Sequence, residues 1–197
     1  MNNIVSANRT ETLGMDRILL PEKHPEIMNM YEALRLERKI MGSDSPASQR
    51  KRKLGQTWPQ KHKSACDAMG VNFEEVQGPP KELHAAYPGL YKLTDRQIEI
   101  LVIKGVRFPE RIGRSIDLSQ TINRGHLKEG FGCAKPGMCS YITSRCRTTV
   151  GVESLLMQGI HYGEQQARLE EFPDNLKQDL GGNSFEALAW DNWILDV

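Results

Sequence analysis

The chain has 197 residues, 39% hydrophobic and 26% charged, with 26 basic and 25 acidic side chains for a net charge of +1. This is enough chain to bury a core in one domain with an irregular arm. Mean hydropathy is −0.52 and no apolar run approaches bilayer length, which excludes a spanning helix; the near-neutral balance excludes a strongly basic nucleic-acid clamp but not local basic patches.

The opening Met1-Asn-Asn-Ile-Val-Ser lacks a charged stretch followed by an apolar run, so no secretory signal is expected. Four cysteines (Cys66, Cys133, Cys139, Cys146) without such a signal point to free thiols in a reducing compartment. Residues 24–41 carry Ile27, Tyr31, Leu34 and Met41 at helical spacing among charged residues, which predicts an exposed amphipathic helix. Residues 1–42 are therefore expected to form an N-terminal arm. Residues 43–56 form a flexible basic linker, whose run Arg50-Lys-Arg-Lys53 is a nuclear address, a phosphate contact or a solvated loop. A nuclear location follows from the first of these, and a cytoplasmic one otherwise.

Trp58-Pro59 opens a helix expected to end at Gly70, and a short polar helix lies between the turns at Gly78-Pro79-Pro80 and Tyr87-Pro-Gly89. Thr94 and Gln97 form a capping box for a helix with Ile98, Leu101 and Val102 on one face, ended by Gly105 and Pro109. From Arg111 to Arg147 the pattern is irregular and contains five glycines, with brief strands expected at 115–118 and 140–143. Periodicity returns at Val152, Leu155 and Leu156, stopped by Gly159. A last helix is expected to start at Asn183 and run toward Leu195.

The Gly181-Gly182-Asn183-Ser184 stretch reads as a bend followed by a capped helix start, with Glu186 completing a capping box. Free amides there suit an anionic or hydroxyl-rich ligand, although the same residues make an ordinary helix cap. Arg107, Arg111, Arg114, Arg124, Lys128, Lys135, Arg145 and Arg147 lie in glycine-rich sequence with few acids, as a phosphate-contacting surface requires and as a solvated loop also would. His126, Cys133, Cys139, Cys146 and His161 lack the paired spacing of a zinc site, so no metal is expected. Cys146, flanked by Arg145 and Arg147, is expected to have a lowered pKa.

Taken in order, Arg147, Glu153, Gln158-Gly159 and Gly182-Asn183-Ser184 resemble the C-terminal end of cytosine-5 DNA methyltransferases, where an Arg…Glu-x4-Gln-Gly segment precedes a Gly-Asn-Ser turn. The sequence departs from that pattern at Thr149-Val150 and Ile160-His161. It also contains no Pro-Cys nucleophile, no Glu-Asn-Val and no Phe-x-Gly-x-Gly turn.

The resemblance implies a mixed α/β chain, mostly helical with a few short strands. It would combine an incomplete, Rossmann-like methyltransferase end with a loop-rich target-recognition region over 57–197. It further implies Asn183 and Ser184 at an S-adenosylmethionine pocket completed by another part of the enzyme. Arg114, Arg124, Arg145 and Arg147 would lie on DNA, and the chain alone would have no catalytic residue. DNA, and a catalytic methyltransferase half, are the implied partners.

Two other readings stand beside it. Leu93-Thr-Asp-Arg-Gln with Ile112-Gly113, Ile116 to Ser119 and Thr121-Ile122 resembles a helix-turn-helix regulator over 93–127. That reading requires helices near 110–116 and 120–127, with Asn123 and Arg124 facing DNA. The chain is otherwise an interaction module without a ligand.

Overall fold

The computed structural model describes residues 15–41, 57–76, 81–132, 135–158 and 171–183. Its architecture is mixed α/β, about half helical, with a small antiparallel sheet. The helices are α1 (Met15–Ile18), α2 (Pro25–Met41), α3 (Trp58–Met69), α4 (Lys81–Ala86), α5 (Asp95–Ile103), α6 (Gly151–Leu156) and α7 (Asp174–Asn183). Among the described residues, the 3-10 helices Phe73–Glu75 and Pro88–Lys92 join them. Among the described residues no helix is long and apolar enough to cross a membrane.

Local chemistry sets several boundaries where the sequence placed them. Pro59 occupies the first turn of α3, and Gly70 ends the helix in a left-handed conformation (φ 68°) that few side chains tolerate. The N–H of Val71 then reaches back to Cys66 O at 2.9 Å. At α5 the Thr94 amide donates to Gln97 Oε1 at 2.9 Å, while the Gln97 amide donates to Thr94 Oγ1. Gly105 closes the other end of that helix at φ 70°.

The predicted strands are present as β1 (Ser115–Asp117) and β2 (Ser140–Ile142), joined by a third, unpredicted strand β3 (Arg147–Thr148). The order is β1-β2-β3, all antiparallel, with Ile116 opposite Tyr141 and Ile142 opposite Arg147. Against the sheet lies the main core, in which Leu90, Leu93, Ile98, Leu101, Leu118 and Ile122 meet Tyr141 and Cys146. Gly89 of the second 3-10 helix presses directly on the Cys146–Arg147 backbone, an approach that any Cβ would block.

The helix-turn-helix expectation is overturned. Residues 110–114 are irregular, 115–117 form a strand and 121–124 form only a turn. The strand is set by pairing with both Ser140–Ile142 and Lys128, and those bonds hold the backbone extended where a first helix would need to be.

The glycine pair at 181–182 is corrected as well. Gly181, Gly182 and Asn183 are the last residues of α7 as described, not a bend that opens a helix. The Asn183 side chain donates back to Asp179 O at 2.9 Å, the i−4 contact of a residue at a helix end. The expected helix toward Leu195, with Ser184 and Glu186 at its start, lies outside the described residues.

Candidate functional site

Val150 immediately precedes α6 in an extended conformation, and its amide donates to the carboxylate of Glu153 (Val150 N to Oε2, 3.0 Å). That turn points Glu153 back toward β3, where Arg147 extends from the strand. The two side chains are fully buried and form a two-pronged pair: Nη1 to Oε2 and Nη2 to Oε1, each at 2.8 Å. The second lone pairs are used too, since Leu20 N donates to Glu153 Oε1 at 2.9 Å. Arg147 Nη1 also donates to Thr148 O at 3.2 Å, and its Nε lies 3.3 Å from Glu22 Oε1.

Glu22 is shared further. Tyr31 donates its hydroxyl to Glu22 Oε2 at 2.6 Å, and Arg145 Nη1 lies 3.8 Å from Oε1. Burial works against the Arg147 charge, but the hydrogen bonds and charge of Glu153 outweigh it and hold the guanidinium above its usual range. Burial, with the Glu22 contact, pushes the Tyr31 phenol up. This network is a scaffold joining Leu20 and Glu22, between α1 and α2, and Tyr31 of α2 to β3 and α6.

The four arginines predicted to meet DNA therefore divide. Arg147 is corrected: with a fully buried side chain committed to Glu153 and Glu22, it cannot reach a phosphate. Arg114 is about one-third exposed (36%) and paired with Glu110 through Nε to Oε2 at 2.9 Å and a second contact from Nη2. Arg145 is comparably exposed at 33% and borders Glu22. Arg124 is exposed on the 121–124 turn, and Arg107, Arg111, Lys128 and Lys135 are exposed as well. Sequence reasoning missed Glu22 and Glu110. The four-residue spacing of Glu110 and Arg114 was a usable signal, whereas nothing local marks Glu22 as the partner of Arg147.

Two segments distant in sequence meet at α6 and α7. Gly151 donates its amide to Asp174, and its α-carbon faces the Lys177 side chain and the Asp174 carbonyl with no room for a Cβ. A Cβ on Gly181 would lie 2.8 Å from Ser154 O, and one on Gly182 would collide with the Lys135–Pro136 backbone. Lys177 is buried and donates to Glu26 of α2.

Gly181 and Gly182 are thus each pressed against a neighbouring segment of the protein. They are not an open cradle, and the described residues here do not fit an S-adenosylmethionine site. Ser184 lies outside those residues.

Burial pushes the Cys146 thiol up, opposite to the expected lowering, because its flanking arginines face Glu22 and Glu153 while the sulfur points into the main core. Burial raises Cys139 and Cys66 in the same way. Among the described residues no group of three His, Cys, Asp or Glu side chains comes together to hold a metal. Comparison with known family models and with curated proteins finds no match for this chain.

Proposed function

We propose that this chain is the C-terminal portion of a cytosine-5 DNA methyltransferase-like protein, which contacts DNA and performs no methyl transfer alone. The supporting observation is the buried Arg147–Glu153 pair on the face of α6, beside α7. Arg147 and Glu153, two of the residues that carry the resemblance, are joined to each other, and α6 packs on α7; the Gly182-Asn183 stretch, as the end of α7, adds no support to the turn that the resemblance requires. The nucleophile and cofactor loop of such an enzyme are missing from the sequence. S-adenosylmethionine therefore belongs to this reading only as a ligand of a completed enzyme. DNA contact falls to the exposed Arg124, Lys128 and Lys135, and less to Arg114 and Arg145, which are each about two-thirds covered and lie by an acid, while Arg147 is committed to the buried scaffold.

The test is duplex binding across a salt titration. Each phosphate contact adds about 0.9 to the slope of log affinity against log salt. Changing Arg124, Lys128 and Lys135 together to alanine should remove about three contacts' worth of slope. Labelled S-adenosylmethionine should transfer nothing to the duplex. Absent or salt-independent binding, or methyl transfer by the pure chain, would overturn the reading.

A further inference from the structure

We infer that the cleft between α3 and the 121–124 turn receives the sugar–phosphate backbone of duplex DNA. This rests on the DNA-contact reading and adds a wall, α3, that lies outside the arginine-bearing segment. The cleft has a volume of about 450 Å³ and is lined by Gln60, Lys61, Ser64, Ala65, Ala68 and Asn123. Its chemistry is an ammonium, a hydroxyl and two carboxamides around two methyl groups, with no carboxylate in the lining. Phosphate oxygens are held by such donors, and the half-buried Ala65 and exposed Ala68 supply apolar surface for a deoxyribose. Arg124 follows Asn123 in the turn and Lys63 lies on α3, both exposed; Asp67, the exposed acid of α3, is outside the lining.

Both walls are fixed before any ligand arrives. His62 Nδ1 lies 2.9 Å from Glu99 Oε2, and Cys66 is fully buried, so α3 is seated on α5. Ala65 packs against the main core beneath the cleft. On the other side Ile122 is only 2% exposed and anchors the turn, whose Thr121 carbonyl accepts from Gly125 N at 2.9 Å. Arg96 of α5 donates to Leu118 O and, at 2.9 Å, to Gln120 O, tying the turn's entry to the same helix that holds α3. A cleft held this way loses little freedom on binding, which favours affinity.

The experiment measures fluorescence anisotropy of a short labelled duplex on the full chain and on Lys61→Ala, Asn123→Asp and Lys23→Ala. All three positions are exposed or half-exposed, and circular dichroism checks that each variant folds. Lys61→Ala should reduce the salt slope by about one contact. Asn123→Asp, which adds a charge without changing shape, should weaken binding about tenfold or more, because like charges at an interface are costly. Lys23→Ala, outside the cleft, should leave both quantities unchanged. If the wild-type chain binds salt-dependently while Lys61→Ala and Asn123→Asp bind as it does, the cleft assignment is overturned and the DNA reading stands. If the wild-type chain does not bind, both fall.

Discussion

Arg147 is a cation whose whole surroundings are protein. Removing Glu153 would strand a buried guanidinium and leave the Leu20 and Val150 amides without their acceptor. Glu153→Ala is therefore expected to cost about 3–5 kcal/mol, read as a fall in the urea midpoint. A loss below about 1 kcal/mol would mean that the pair contributes little beyond a surface bridge. Glu110 makes a different prediction. The hydrogen bond from Arg114 holds its carboxyl below the usual carboxylate range, against an opposing push from burial and with help from Thr143. A depressed folded pKa gives stability that is complete above the unfolded value and is lost as pH falls through the folded one. Glu110→Gln should therefore lower stability by a constant amount above the ordinary carboxylate range, and the two proteins should converge as pH falls through the folded value, so that the variant's acid-side decline is flatter. Urea midpoints across that range decide it.

At the scale of elements, α6 and α7 meet through glycines, and close approach explains their presence better than backbone freedom does. Gly182 has no room for a Cβ against Lys135–Pro136, so Gly182→Ala must move either α7 or that backbone. Its expected cost is about 1–3 kcal/mol, the usual range for overpacking. Gly130 is the contrast, with nothing within 4 Å of its Cβ position and no left-handed backbone. Gly130→Ala should be neutral or slightly stabilising. Equal melting temperatures for the two variants would show that α7 yields easily and does not fix the 135–136 segment.

Across the whole molecule, residues 15–41 share a core with the C-terminal segments. Ile27 packs with Val150 and Val152, Glu26 holds the buried Lys177, and Glu22 reaches Arg147. A chain starting at residue 42 would take Glu26 from Lys177 and Glu22 from Arg147 and would uncover Val150 and Val152, the apolar residues that Ile27 packs against. The shortened chain is expected to melt well below the full one, or without a cooperative transition, by circular dichroism. An unchanged melt would mean that the first 41 residues contribute nothing to the core.

The elements legible in the sequence were those whose signals are local. Thr94 with Gln97, Pro59 with Gly70, and the short apolar runs at 115–118 and 140–143 each carry their instruction within a few residues, because caps and strand pleats are short-range devices. Assignments that depended on burial were not legible. Arg124 and Arg147 look alike as letters, yet one is exposed on a turn and the other is fully buried, facing an acid 125 positions away in the chain. Gly181-Gly182 spelled a bend, but whether a glycine serves a turn or a close contact depends on what lies opposite. Here that is Ser154 and the Lys135–Pro136 backbone. The cleft beside α3 joins residues 60–68 to Asn123, a juxtaposition made by the seating of both walls on α5 and the core, and no periodicity along the chain encodes it.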